Sequence, residues 1–207
     1  MFRNIKNAIL FLLSGNMAGI LSVLYTSLLG LPVPFAPVQL LCMNLLTDSL
    51  PAIAIGMEPS DESVLEEKQR DPSVGLLTKE FIEKILLQGI LIATATMVSY
   101  YIGLETSPIL ASTMAFITLT TARLFHGFNC RSEHSIFKIG LTSNPFSICA
   151  FLGGVVFIAL VLFVPALHSL FSVVSVTAVA VAQIIGLAIL PSAIIQMVKI
   201  VMGKIKK

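Results

Sequence analysis

Apolar residues fill this chain in long, nearly uninterrupted stretches, and polar residues collect in the short segments between them. Six stretches approach the roughly 20 residues that an α-helix needs to cross about 30 Å of hydrocarbon. We predict spans over about 8–30, 36–57, 82–103, 108–127, 146–164 and 174–200. The pattern therefore predicts an all-α membrane protein with six transmembrane helices.

The composition supports this class and excludes two others. The chain is 56% hydrophobic and only 12% charged, which is too apolar for the surface of a water-soluble domain. A transmembrane barrel would show alternating segments of about 10 residues, and the apolar runs here are continuous. The first run is too long and too polar for the apolar region of a signal peptide. The lipid bilayer is the expected partner of this surface.

The basic residues predict the orientation of the spans. The segments 31–35, 104–107 and 165–173 contain no Lys or Arg. Twelve basic residues fall on the other side, where we place both termini: Arg3, Lys6, Lys68, Arg70, Lys79, Lys84, Arg131, Lys138, Lys199, Lys204, Lys206 and Lys207. Because basic segments stay on the inner side of a membrane, we predict that both termini are cytoplasmic. Charges so close to the membrane, without interleaved aromatic residues, do not favour a nucleic-acid partner.

Three polar residues of the second span suggest a cation site. Asn44, Thr47 and Asp48 are spaced i, i+3 and i+4, which places them on one face of a helix. Amide, hydroxyl and carboxylate oxygens are the ligands that hard cations prefer. Pro51 has no N–H for the carbonyl of Thr47, so we expect the helix to open there. The alternative is that these side chains only join helices through hydrogen bonds.

Polar residues in two other spans leave more than one interpretation open. In the first span Asn16 lies in a patch of small residues and serves either as a ligand or in helix packing. Arg123 in the fourth span either reaches toward the membrane surface or acts as a counter-charge beside an acid such as Asp48. His126, Cys130 and His134 recur every four residues, but nothing around them favours a metal site.

The segment PVQLLCMNLLTDSLPA at 37–52, followed by GMEP at 56–59, resembles the sixth transmembrane helix of P-type cation-transporting ATPases of the calcium-pump type. The segment NIK at 4–6, leading to SGN at 14–16, is similar to the fifth helix of that family. The remaining spans fit its seventh to tenth helices, so the resemblance covers essentially the whole chain.

This resemblance implies a part of a larger pump. The chain lacks the Asp-Lys-Thr-Gly phosphorylation motif, and the family's nucleotide-binding and actuator domains and its first four helices are absent from it. ATP and Mg²⁺ would be bound by those missing domains, and this segment alone is not expected to hydrolyse ATP. The hydrophilic stretch 58–80 is too short for a core of its own and is expected to be a connector or a docking surface. The plasma membrane is the expected location.

The resemblance also implies a set of ion ligands. It makes Asp48 the central carboxylate and assigns ligand roles to Asn44, Thr47 and Asn16. Two-site calcium pumps carry glutamates where this chain has Gly19 and Arg123. Both changes remove negative charge, which implies one transported Ca²⁺ per cycle instead of two.

The residues themselves leave other functions open. A pump for Na⁺, K⁺, Mg²⁺ or Mn²⁺ would use similar oxygen ligands. A self-sufficient secondary transporter or channel would be expected to show an internal repeat and a complete site, and we find neither in the sequence. A helical scaffold without transport activity is the third alternative, and it would make Asp48 dispensable.

Overall fold

The computed structural model describes residues 2–59 and 77–205 of the chain. Within these ranges there are helices and no strands, and six helical segments are long and apolar enough to cross a membrane. This confirms the predicted all-α class with six spans. Most of the hydrophilic stretch 58–80, which we expected to be a connector or a docking surface, lies outside the described residues.

The helices of the described ranges are, in chain order, α1 (Phe2–Leu28), α2 (Pro37–Cys42), α3 (Ser49–Gly56), α4 (Lys79–Leu104), α5 (Pro108–Cys130), α6 (Ile136–Ile139), α7 (Pro145–Phe163), α8 (Pro165–Phe171) and α9 (Ala178–Ile205). The second span consists of α2, a π-helical turn at Met43–Thr47, and α3. The first span begins six residues before the expected start at position 8, since its first turns carry polar residues that hydropathy alone does not assign to a span. The loop predicted at 165–173 contains the short helix α8.

Local signals in the sequence start several of these helices. Ser107 accepts a hydrogen bond from the backbone N–H of Leu110, and Pro108 follows at the first helical position of α5. Asn144 caps α7 in the same way, again before a proline. Thr78 caps α4. These polar caps satisfy N–H groups that would otherwise be left unpaired at the helix ends.

The hairpin between α4 and α5 depends on a glycine. A Cβ atom on Gly103 would lie 2.7 Å from the Cα atom of Ala111, which is closer than atoms can approach. Only glycine therefore allows the two helices to pack so closely at this turn. The hydroxyl of Thr118 in α5 donates to that of Ser99 in α4 at 2.7 Å and joins the same two helices further along.

Helix α5 is the centre of the bundle. In the most apolar stretch of α5, 67% of the residues are buried, compared with 33% in that of α1. Helix α5 packs against α1, α3, α4, α7 and α9. Its buried residues, such as Phe116 and Leu119, form one core together with residues of α4, α7 and α9. A polar side chain of α5 is therefore surrounded by protein and not by lipid, which decides the environment of Arg123.

Candidate cation site

The second span changes its helical geometry where the candidate ligands lie. The backbone N–H of Asp48 donates to the carbonyl of Met43 at 3.0 Å, a spacing of five residues that is typical of a π-helix. The hydroxyl of Thr47 donates to the same carbonyl at 2.8 Å. Pro51 lies four residues after Thr47 and has no N–H to donate to its carbonyl. π-helical turns of this kind occur frequently at functional sites.

Asp48 is paired with Arg123 inside the bundle. Both residues are 2% exposed, and the Nη2 atom of Arg123 donates to the Oδ2 atom of Asp48. The same Nη2 atom donates to the Oδ1 atom of Asn16 at 2.9 Å. The structure thus brings together a residue of α1, a residue that follows the π turn and a residue of α5. Of the two interpretations of Arg123, the structure favours the counter-charge.

Two polar atoms of this pair have no hydrogen-bond partner within the described residues. They are the Oδ1 atom of Asp48 and the Nε atom of Arg123, and both are buried. A buried donor or acceptor without a partner costs about 1–3 kcal/mol, and more when the group is charged, so each such atom calls for an explanation, and a bound ion is one. The free carboxylate oxygen of Asp48 is the atom with the charge and the lone pairs to bind a cation.

A glycine of α1 makes room for the arginine. A Cβ atom on Gly15 would lie 2.5 Å from the Nε atom and 2.9 Å from the Nη2 atom of Arg123. The guanidinium group therefore passes directly over the backbone of α1 to reach Asp48. In the sequence Gly15 was one member of a small-residue patch, and its role beside Arg123 could not be predicted, because the two residues are far apart along the chain.

Gly19 differs from Gly15 in its surroundings. The nearest atom to a Cβ atom at Gly19 would be a methyl carbon of Leu119 at 3.9 Å, an ordinary contact distance. The arginine does not fill the space beside Gly19. A Cβ atom at position 19 would therefore clash with nothing, and packing around this first side-chain atom does not require a glycine.

The remaining candidate ligands are placed differently from one another. Thr47 is 1% exposed and lies beside Asp48 in sequence, whereas Asn44 is exposed. The sequence spacing had placed all three residues on one face of an α-helix. The π turn changes the angular spacing on which that pattern depends, and Asn44 and Asp48 consequently differ in burial. Asn16 is also exposed, although its amide oxygen bonds to Arg123.

His126 and Cys130 of α5 contact each other, and His126 also contacts α1. The Nε2 atom of His126 lies 2.9 Å from the hydroxyl of Ser14 in α1 and 3.2 Å from the sulfur of Cys130. His134 is exposed and lies beyond the end of α5, so it does not continue this face. The described residues contain no cluster of three or more His, Cys, Asp or Glu side chains that could hold a metal ion. His126 therefore ties α5 to α1 close to Asn16.

The fold and the site define a class of protein. The chain is a multi-pass integral membrane protein in which a buried carboxylate and a buried arginine from two spans form an ion pair, and the arginine also bonds an amide of a third span. Ionisable groups placed at this depth are typical of proteins that move ions.

Comparison with known proteins identifies the family. The chain belongs to the family described as cation-transporting ATPase, C-terminus, whose model matches residues 32–201. A calcium-transporting ATPase of Bacillus subtilis (strain 168) is 36% identical over 194 residues, which are 92% of this chain and 22% of that protein. This confirms the resemblance found in the sequence, including its restriction to the C-terminal part of such proteins.

Other relatives are similar in name and extent. A calcium-transporting ATPase of Listeria monocytogenes is 40% identical over 152 residues, covering 73% of this chain and 17% of that protein. The calcium-transporting ATPase type 2C member 1 of Homo sapiens is 31% identical over 189 residues, covering 90% of this chain and 21% of that protein. The chain thus spans about a fifth of the length of these relatives.

Proposed function

We propose that this chain is the ion-binding membrane segment of an ATP-driven calcium pump and that Asp48 is its central ligand. The observation that carries the proposal is the buried Oδ1 atom of Asp48, which has no partner within the described residues. The other carboxylate oxygen of Asp48 is bonded by Arg123, which also bonds the amide of Asn16. Carboxylate and amide oxygens are suitable ligands for Ca²⁺. The relatives are calcium-transporting ATPases by name, which supports Ca²⁺ over other hard cations.

In this proposal the transported Ca²⁺ competes with Arg123 for Asp48. The guanidinium group occupies the Oδ2 atom, and a cation that approaches the Oδ1 atom weakens that ion pair by electrostatic repulsion. Asn16 is then released from Arg123 and its amide oxygen becomes available as a ligand. Thr47 and Asn44 are the further candidate ligands of this chain. ATP and Mg²⁺ would be bound by domains outside this chain.

The charges of the site favour a single ion. Asp48 and Arg123 together have no net charge, and Gly19 supplies no side-chain oxygen. A second Ca²⁺ would add two positive charges to a weakly screened interior and would need further carboxylates nearby. We therefore propose that one Ca²⁺ is transported in each cycle.

The substitution Asp48→Asn in the complete pump tests the function. It removes the negative charge of the site and keeps its shape, so Ca²⁺-dependent phosphorylation should be lost while the protein still inserts into the membrane. The measurement is phosphoenzyme formation from labelled ATP over a Ca²⁺ titration, with Mn²⁺ and Mg²⁺ as competing ions. An unchanged Ca²⁺ dependence would contradict the assignment of Asp48, and stimulation by another cation alone would change the proposed cargo.

The number of ions is tested by direct counting. We expect about one occluded ⁴⁵Ca for each phosphorylation site and a Hill coefficient near one, because the chain supplies charge for only one ion. Two occluded ions per site would show that Gly19 and Arg123 do not limit the site in this way.

A further inference from the structure

A second arginine–carboxylate pair joins the same two segments of the chain as the pair at the site. Arg131, the residue that follows α5, is 1% exposed. Its Nε atom donates to the Oε2 atom of Glu58 at 2.8 Å, and its Nη2 atom donates to the Oε1 atom at 2.7 Å. Two parallel bonds of this kind form the strongest geometry that an arginine and a carboxylate can adopt.

The surrounding residues satisfy the rest of this second pair. The Nη1 atom of Arg131 donates to the carbonyl of Leu141 at 3.0 Å, and its Nη2 atom also donates to the hydroxyl of Ser143 at 2.5 Å. The Oε2 atom of Glu58 accepts a further bond from the amide of Asn144 at 2.7 Å. A buried ion pair is held firmly only when its remaining donors and acceptors are bonded in this way.

Helix α1 is tied to the same place by two asparagines. The amide nitrogen of Asn4 donates to the carbonyl of Glu58 at 2.7 Å, and that of Asn7 donates to the carbonyl of Arg131 at 3.0 Å. We call the ion pair of Glu58 and Arg131, with these two asparagines, the clamp. The three segments that meet at the candidate cation site therefore meet a second time at the clamp.

The clamp and the site lie at opposite ends of one short helix. Asp48 directly precedes α3 and Glu58 follows it by two residues, so eight helical residues connect them, a rise of about 12 Å. Arg123 and Arg131 are separated by a similar distance along α5. Because the two pairs follow in the same order on both segments, α3 and α5 run in the same direction and are joined at two levels.

The two ion pairs differ in the completeness of their bonding. At the site the Oδ1 atom of Asp48 and the Nε atom of Arg123 lack partners within the described residues. No such unpaired atom occurs in the side chains of Glu58 or Arg131, both of which belong to the described part of the chain. The pair of Asp48 and Arg123 is incompletely bonded and can therefore exchange a partner. The pair of Glu58 and Arg131 is completely bonded and therefore keeps its geometry.

We propose that Glu58 and Arg131 are positioning residues that keep Asp48 in place when a cation displaces Arg123 from it. This inference rests on the proposed function. When Arg123 leaves Asp48, the segment that contains α3 loses its ion pair with α5 at the site, and the clamp is the ion pair between these segments that remains. A ligand that is held in position binds with less loss of conformational freedom, so the clamp raises the affinity for the cation.

The test uses the complete pump with the substitutions Glu58→Gln and Arg131→Lys. Glutamine has no charge and lysine cannot form the two parallel bonds, so both variants weaken the clamp without altering any proposed ligand. Equilibrium ⁴⁵Ca binding should show an apparent Ca²⁺ affinity that is lower by about tenfold. This is less than the full loss of stability on breaking a buried ion pair, because only part of that loss is expected to reach the cation site. The maximal binding per folded pump should be unchanged.

A matched control is available near the end of α5. Lys84 and Glu133 form an ion pair of 3.2 Å whose side chains are 50% and 67% exposed. Pairs as exposed as this contribute little, so Glu133→Gln should change the affinity by less than about twofold. A loss of affinity in Glu133→Gln equal to that in Glu58→Gln would overturn the specific role of the clamp.

Each outcome decides the proposal. If Glu58→Gln and Arg131→Lys lower the amount of folded pump but leave its Ca²⁺ affinity unchanged, the clamp only supports folding and the proposal is wrong. If neither variant folds, Asn7→Ala removes one bond of the clamp and leaves the ion pair, and it should lower the affinity by about threefold, in keeping with one hydrogen bond. An unchanged affinity in Asn7→Ala would then overturn the proposal.

The same series separates the clamp from the proposed function. Asp48→Asn should abolish Ca²⁺ binding whether or not the clamp has a role. If Asp48→Asn binds Ca²⁺ normally, the proposed function itself fails. If Asp48→Asn binds none while Glu58→Gln binds with normal affinity, only the clamp is refuted.

Discussion

The substitution Gly15→Ala tests the position of Arg123 directly. The added methyl group would lie 2.5 Å from the Nε atom of Arg123, well inside contact distance. The guanidinium group is at the end of a flexible side chain, but its bonds to Asp48 and Asn16 restrict its movement. We therefore expect the methyl group to push Arg123 away from at least one of these partners.

The expected magnitude follows from comparison with a second glycine of the same helix. Gly15 and Gly19 both lie inside α1, where a change to alanine should stabilise the helix by about 0.5–1 kcal/mol. Gly19→Ala meets no atom closer than 3.9 Å, so it should show this gain alone. Overpacking a well-packed interior costs about 1–3 kcal/mol. Gly15→Ala should therefore be less stable than Gly19→Ala by about 1–3 kcal/mol.

Thermal unfolding of the complete pump in detergent measures this difference. The chain contains no tryptophan but three cysteines, and Cys130 is buried, so labelling with a thiol-reactive dye can follow unfolding of this segment. Cysteines outside this chain, together with the exposed Cys149 and the partly buried Cys42, would first be replaced, so that only Cys130 reports unfolding. For a unit the size of this segment, 207 residues, each kcal/mol corresponds to about 2–4 °C, so the unfolding midpoint of the segment in Gly15→Ala should lie about 2–12 °C below that in Gly19→Ala.

A double substitution shows whether Arg123 is the cause. In an Arg123→Ala background the clash is removed, so Gly15→Ala should no longer be less stable than Gly19→Ala. Equal stability of the two glycine variants in the otherwise unchanged pump would refute the placement of Arg123 against α1. A difference that persists without Arg123 would show that another contact of Gly15 is responsible.

Two further predictions concern the surface of the segment. Reporter groups at positions 33 and 106 should be accessible from outside the cell and one at position 135 from the cytoplasm, because basic segments are retained on the inner side of a membrane; a cytoplasmic signal at 33 would contradict this topology. Partial removal of the Glu133 carboxyl from water tends to raise its pKa, but the positive charges nearby, chiefly that of Lys84, outweigh this effect and leave the pKa below its usual value. The stability that this pair contributes should be present above about pH 4.5, where the unfolded glutamate is charged, and be lost as the pH falls further. Since the pair is exposed, Glu133→Gln should lower the thermal midpoint at pH 7 by less than the equivalent of about 1 kcal/mol, and a larger shift would contradict this estimate.

The spans and the family follow from the sequence, since both depend on local patterns. Hydrophobic length identifies a membrane helix without any tertiary contact, because each helix satisfies its own backbone in lipid. The segment around Asp48 carries its resemblance in consecutive residues. The candidate ligands could also be predicted from the sequence, because polar side chains with ligand oxygens are rare inside apolar runs and stand out there.

The pairing of these residues was decided only by the tertiary structure. Asp48 and Arg123 are 75 residues apart, Asn16 and Arg123 are 107 apart, and Glu58 and Arg131 are 73 apart. In the sequence Arg131 was simply one of the basic residues that set the orientation. No local pattern fixes such contacts, because they depend on how α1, α3 and α5 pack. Close packing at Gly15 and the π turn before Asp48 decide which polar atoms can meet, and both are properties of the folded bundle.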